Sequence, residues 1–197
     1  MVREGTDERA GEDFPQSPPV SIRPYRVDDA ERVFEAVRES IAEISPWMPW
    51  CHPGYAIEET RDWIAHCGGV WRDGREFNFV IEDRAGAFLG ACGLNQIRRG
   101  DRMANLGYWV RTSAAGRGVA TAGVRCLAEF AFGAAGLERL EIIAAVGNVA
   151  SQRVAEKCGA RREGLVSDRL FLRGVRHPAV AFVLERGSRR FSPAKGD

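Results

Sequence analysis

Histidine is scarce in this sequence. The three present, His52, His66 and His177, share no ligand spacing such as H-x-x-x-H, so no metal is expected. Cysteine is little used. Cys51, Cys67, Cys92, Cys126 and Cys158 are odd in number, unevenly spaced and without a C-x-x-C pair. That excludes a disulfide framework or a zinc ribbon and leaves buried apolar thiols. No apolar run approaches the roughly 18 residues of a membrane span. The first residues carry Arg3, Glu4, Asp7, Glu8, Arg9, Glu12 and Asp13 with no apolar stretch behind them. A secretory leader would look different, and a cytoplasmic protein is expected. Charge of one sign is also lacking: 28% of residues are charged, yet the formal net charge is +1. Neither a nucleic-acid partner nor an acidic disordered chain is indicated.

What is present is enough apolar material for one core. The chain has 197 residues, 45% of them hydrophobic, which suits a single domain. Residues 1–19 are charged and then Pro-rich, and 187–197 mix Arg189, Arg190 and Lys195 with Gly, Ser and Pro. Both read as flexible tails around a domain at 20–186. Inside it the hydrophobic period alternates. Residues 20–26 predict an edge strand, since Pro24 excludes a central one. Asp28 with Glu31 gives a capping box, and Ala30, Val33, Phe34, Val37, Ile41 and Ile44 share one helical face. After a loop with Pro46, Pro49 and Pro53, a second helix carries Trp63, Ile64, Cys67 and Trp71. Strands follow at 77–82, 88–97 and 103–111, then a helix at 118–134. A strongly apolar strand at 138–146 reads as central. Asn148 caps a helix that ends before Gly159, and strands at 161–171 and 177–186 close the domain. The result is an α/β (α+β) fold with a mixed sheet and helices on its faces, not a doubly wound one.

Chemistry concentrates between Gly107 and Ser151. A strand runs into Arg111-Thr112-Ser113-Ala114-Ala115-Gly116-Arg117-Gly118-Val119-Ala120-Thr121, and a helix begins inside that run. Gly116 and Gly118 remove Cβ atoms where the backbone bends and a ligand could come close. The unpaired N–H groups of a helix start, with the positive end of its dipole, make an anion cradle suited to pyrophosphate. A strand-to-helix turn alone would also explain the two glycines. No Gly-Lys-Ser/Thr follows, so it is not a Walker loop. Thr121 stands where a dinucleotide fingerprint needs its third glycine.

The wider pattern is more specific. It comprises Gly107-Tyr108-Trp109, Gly116-Arg117-Gly118-Val119-Ala120-Thr121, Ala131-Phe132, Leu137-Glu138-Arg139-Leu140, Asn148 with Ser151, Glu156-Lys157-Cys158-Gly159-Ala160 and Glu163-Gly164. In this order it resembles the acyl-CoA-binding core of the GNAT acetyltransferases. Together with Pro46-Trp47-Met48-Pro49-Trp50, it is similar to the branch holding the ribosomal-protein N-terminal (RimJ/RimL-type) acetyltransferases. The resemblance covers about 20–186, most specifically 107–164. It implies a mostly antiparallel sheet of about seven strands, splayed between strands 4 and 5 and flanked by about four helices.

It also implies roles. Pantetheine would lie along the backbone of Trp109, Val110 and Arg111, with Asn148 on its side. The pyrophosphate would meet the amides of Gly116, Arg117, Gly118, Val119, Ala120 and Thr121, with Arg117 and Arg153 candidates near the adenine end. A neutral amine would attack the thioester of acetyl-CoA directly. The Val110 N–H would receive the developing oxyanion, and Ser151 would return a proton to the thiolate. Ser151 and Asn148 also read as an ordinary first-turn residue and N-cap. The pattern is broken at two positions: Asn105 stands where relatives carry Glu, and Phe182 where a Tyr is common. A base would then come from water relayed by Glu58, Glu59 or His52, which a solvated helix start explains equally. Trp47, Trp50 and Trp63 are candidates for an acceptor wall or a covered core edge. The resemblance thus implies an amine N-acetyltransferase, acting on a protein N-terminal α-amine. A small-molecule amine such as an antibiotic or polyamine, or a non-catalytic acyl-CoA sensor, are the alternatives. Relatives are monomers or homodimers.

Overall fold

The computed structural model describes residues 19–188. The remainder of both expected tails lies outside the described residues. Seven strands form one sheet in the order β1-β2-β3-β4-β5-β7-β6. They are β1 Val20–Pro24, β2 Phe77–Asp83, β3 Phe88–Arg98, β4 Met103–Val110, β5 Arg139–Ala145, β6 Arg161–Leu172 and β7 Val175–Glu185. All pairs are antiparallel except β4–β5. The Pro24 strand is at an edge and the apolar β5 is inside, as their sequences require.

Alternation along each strand sorts the two faces. Phe79, Ile81, Leu94, Leu106, Leu140, Ile142 and Phe182 face one way, against Val124, Leu127 and Ala131 of α4 (Val119–Phe132). Val80, Phe88, Ala91 and Trp109 face the other way, against Val33 and Val37 of α1 (Ala30–Glu39) and Ile44 of α2 (Ile41–Ile44). Leu140 is fully buried, so Leu140→Ala would cost about 2–5 kcal/mol. Helix α3 (Ile57–Arg72) lies against α1 and β2, and α5 (Val149–Lys157) against α4 and β5.

Two local readings are corrected. The helix expected to run unbroken through Ile44 breaks at Ser40, so there are five helices rather than about four. The buried Ser40 hydroxyl donates to Ala36 O at 2.6 Å and accepts the Thr112 N–H at 3.0 Å. It exchanges helical continuity for a tie to the loop after β4. Asp28 does not cap α1; the N-cap is Asp29, which makes no side-chain cap bond. Its buried carboxylate instead accepts from Arg23 (2.8 Å), the Arg26 N–H (2.7 Å) and Arg32.

Candidate active site

The site exists because two strands part. β4 is paired with β3 through Val110, and β5 is paired with β7 over its whole length. Between β4 and β5 only Met103↔Arg139, Ala104↔Leu140 and Asn105↔Glu141 are in register. Beyond Asn105 the sheet opens into a wedge, and a cleft of about 460 Å³ occupies it. Its walls are β4, β5, the loop into α4 and the start of α5, with Trp47 and Met48 over one side.

The pleat decides which backbone groups face this cleft. The Arg111 N–H donates to Leu89 O at 2.9 Å, across the β3 side. Alternation then turns Trp109 toward β3 as well, and presents the N–H and C=O of Val110 and Tyr108 at the open edge. Of the three residues expected to give backbone to pantetheine, Val110 alone has this orientation. Trp109 and Arg111 do other work. The Trp109 ring is buried beside Trp50 and Phe88. The Arg111 guanidinium pairs with Glu39 and donates to Phe88 O.

The loop after β4 is anchored from α1 and α2. Glu39 takes the Ser113 N–H at 2.6 Å besides Arg111, and Glu43 takes the Thr112 hydroxyl at 3.0 Å. The Arg111 guanidinium, with the Ser113 N–H, holds the Glu39 carboxyl at about 2. Beyond the anchor, Gly116 (φ +74°) and Gly118 (φ +80°) are left-handed. A Cβ on Gly116 would meet open space, which suits a backbone left clear for a ligand. Gly118 is the N-cap of α4 and no side chain caps that helix. The first bond inside it runs from the Ala122 N–H to Gly118 O, so the N–H groups of Val119, Ala120 and Thr121 lack helical acceptors. Gly116, Gly118, Val119, Ala120 and Thr121 line the cleft; Arg117 is exposed and does not, whereas Arg153 does. An open backbone edge running to an uncapped 14-residue helix fits the pantetheine and pyrophosphate of CoA.

Across the wedge, Asn148 caps α5: its Oδ1 accepts the Ser151 N–H at 3.1 Å. Ser151 Oγ lies 2.9 Å from the Tyr108 hydroxyl, which also donates to Ser151 O at 3.0 Å. Burial pushes the Tyr108 phenol well above its usual range, and the Ser151 bond only partly opposes that. Tyr108 therefore keeps its proton at neutral pH. Sequence reasoning singled out Ser151 but missed this partner, 43 residues away. The available signal was strand alternation, which puts Tyr108 on the face opposite Trp109 and toward α5.

Other expected residues are not brought in. Glu58 is exposed at the start of α3 and does not line the cleft. Glu59 takes the Ala56 N–H and pairs with His52 at 3.1 Å. Trp63 lies against His66. Phe182 is in the core on the α4 side. Asn105 is on the α1–α2 face of the sheet, with its Nδ2 donating to Asn95 Oδ1 at 2.9 Å. Its register partner on the next strand is Glu141, a buried carboxylate that sequence reasoning passed over. A lone acid within an apolar strand was the signal for it. Among the described residues, no group of three or more His, Cys, Asp or Glu could hold a metal, and no helix is long and apolar enough to cross a membrane.

The acetyltransferase (GNAT) domain family matches residues 20–161. A Bacillus subtilis (strain 168) protein named "Putative ribosomal N-acetyltransferase YdaF" is 29% identical over 171 residues, 84% of this chain and 90% of that protein. Mycobacterium smegmatis RimJ in complex with CoA-disulfide superposes with a TM-score of 0.77 at 28% identity, covering 86% of this chain and 83% of RimJ. RimL, described as a ribosomal L7/L12 alpha-N-protein acetyltransferase in complex with coenzyme A, gives 0.78 at 21% identity over 87% of this chain and 96% of that one. That last likeness is one of fold alone. With the parted strands and the open cradle already in place, a family match over more than half of the chain settles its membership: this protein belongs to the GNAT acetyltransferases, enzymes that take their acetyl group from acetyl-CoA.

Proposed function

We propose that the chain transfers the acetyl group of acetyl-CoA to a protein N-terminal α-amine, in the cytoplasm. The observation that carries the reaction is the meeting, at one wedge, of an open β4 edge, an uncapped helix start and the Tyr108–Ser151 pair. Acetyl-CoA supplies an activated thioester. The chain binds it through the Val110 and Tyr108 backbone, the N–H groups from Gly116 to Thr121, and Asn148. The Val110 N–H is the donor for oxyanion charge. As the C–N bond forms and the C–S bond breaks, Ser151 Oγ gives its proton to the thiolate and regains one, through water, from the nitrogen that attacked. Tyr108 holds that hydroxyl in place. A thiol of pKa about 8.5 leaves with little help, so this donor needs position more than strength.

The choice of an α-amine rests on what stands opposite. Asn105 is no base, and its amide is committed to Asn95. An α-amine of pKa about 7.7–8.0 is partly neutral at neutral pH, whereas a lysine amine at about 10.4 needs roughly 3.5 kcal/mol more to lose its proton. The carboxylate at the edge of the cleft, Glu43, takes the Thr112 hydroxyl, and a site without a dedicated base suits the former. The cavity on the α1–α2 face carries Arg98 and Arg169 against one carboxylate, Glu141, which disfavours a polyamine. The name of the Bacillus subtilis relative, "Putative ribosomal N-acetyltransferase YdaF", agrees. The test is thiol release from acetyl-CoA across N-terminal peptides, lysine side-chain peptides and polyamines. Release with α-amine peptides alone is expected; preference for spermidine would overturn the assignment.

A further inference from the structure

A second cavity, of about 510 Å³, opens on the α1–α2 face of the sheet. On three strands a residue that lines it is followed directly by one that lines the wedge. Asn105 is followed by Leu106 on β4, Glu141 by Ile142 on β5, and Arg169 by Leu170 on β6. The two linings therefore adjoin along β4 and β5, at the point where those strands part. An amine attacking a thioester laid along β4 must come from a side that the CoA arm does not fill.

Its charge is unusual. Glu141 is 8% exposed and is the one acid on β5. Its Oε2 accepts from Arg169 Nη2 at 2.9 Å and lies 3.9 Å from Arg98, while Oε1 lies 3.7 Å from Arg139. Arg139 turns mostly elsewhere, to Glu163 at 2.9 Å and Glu185 at 3.6 Å. Arg98 also lies 3.7 Å from Asp101 and meets the Met103 sulfur at 2.6 Å. The lining itself thus holds two guanidinium groups and one carboxylate. A carboxylate enclosed this way is not free to receive an ammonium; it fixes the guanidinium groups around it. Each guanidinium carries five donors. Among the described residues Arg169 makes one hydrogen bond, to Glu141. Planar forks with unspent donors at a cavity wall are suited to carboxylate recognition.

We propose that Arg98 and Arg169, held by Glu141, form a carboxylate-binding subsite for the acceptor, so that the preferred amine carries an acidic group. This rests on acetyl transfer with the acceptor approaching from this face. The carboxylate is an Asp or Glu side chain near a peptide N-terminus, or the α-carboxylate of a free amino acid.

The full chain is saturated with CoA and titrated calorimetrically with N-acetylated, C-amidated tripeptides bearing Glu, Gln or Lys at the second position. N-acetylalanine and its amide form a separate arm. The Glu peptide is expected to bind about tenfold more tightly than the Gln peptide, and the Lys peptide more weakly still. Arg169→Gln should bring the Glu peptide down to the Gln level, with Arg169→Lys intermediate and CoA affinity reporting an intact fold. A preference seen only between N-acetylalanine and its amide assigns the subsite to an α-carboxylate. Equal binding of the peptides with no preference in that arm, stronger binding of Lys, no binding in either arm, or an acidic preference that survives Arg98→Gln/Arg169→Gln would overturn the proposal. Thiol release with the unacetylated peptides is scored separately. Charge-selective binding without turnover removes acetyl transfer and keeps the subsite; turnover without charge selection does the reverse.

Discussion

The two cavities that adjoin along β4 and β5 are built from different materials. The wedge is made of backbone: an open strand edge, two left-handed glycines and an uncapped helix start. The cavity opposite is made of side chains from β3, β4, β5 and β6, held by ion pairs. Backbone sites recognise what is common to every CoA thioester, because N–H groups present themselves whatever the side chains are. Side-chain sites recognise what varies, and they change by single substitutions. On the proposed assignment the common substrate lies along the parted backbone and the variable one against those side chains.

The largest expected effect breaks the backbone half. Gly118→Asp places a β-carbon at φ +80° and a carboxylate where an anion should sit. CoA affinity should fall by about a hundredfold or more, from strain and charge repulsion together. Gly100→Asp, in an exposed turn with open space around it, should leave that affinity alone. Calorimetry on both variants checks this, and normal binding by the Gly118 variant would remove the cradle.

Next comes the seam between backbone and side chains. Tyr108→Phe should lower kcat about tenfold with little change in KM for acetyl-CoA, and Ser151→Ala about a hundredfold. The double variant should be no worse than Ser151→Ala alone, because Tyr108 acts through that hydroxyl. Additive losses would give Tyr108 an independent role.

A smaller effect sharpens the comparison from the acceptor side. Asn105→Glu adds a carboxylate directly across from Glu141. Discrimination between α-amine and lysine-amine peptides should narrow by roughly tenfold, measured as the ratio of kcat/KM values. An unchanged ratio would mean that acceptor choice does not depend on this rung.

The smallest effect concerns stability. Glu39 ties α1 to the loop before α4, and its folded carboxyl lies at about 2 against an ordinary value of 4.5. A depressed acid stabilises the fold fully above its unfolded value, and that contribution is lost as pH falls through the folded one. Between pH 4.5 and 2 the wild-type Tm should therefore drop more steeply than that of Glu39→Gln. Parallel curves would show that the Glu39–Arg111 pair does not survive in solution.

The wedge was far more legible in the sequence than the cavity opposite. Gly116, Gly118 and Asn148 are local signals, each tied to a turn or a helix end within a few residues. Strand and helix periods likewise placed all seven strands. The misreadings arise where a side chain leaves its own element. Ser40 leaves the helix pattern to reach Thr112, 72 residues on. Asp29 rather than Asp28 is drawn inward because Arg23, on β1, needs a partner. Tyr108 and Ser151, or Glu141 and Arg169, meet only once register is known. A one-residue change of register would turn Glu141 to the other face, so this cavity could not be read before the sheet was assembled.

The most direct test is calorimetric titration with acetyl-CoA, followed by free-thiol release with peptide N-termini and polyamines. Saturable 1:1 binding with thiol release that depends on an α-amine peptide is predicted. Binding without release from any amine would contradict transfer and leave an acyl-CoA sensor; no binding at all would contradict the wedge itself.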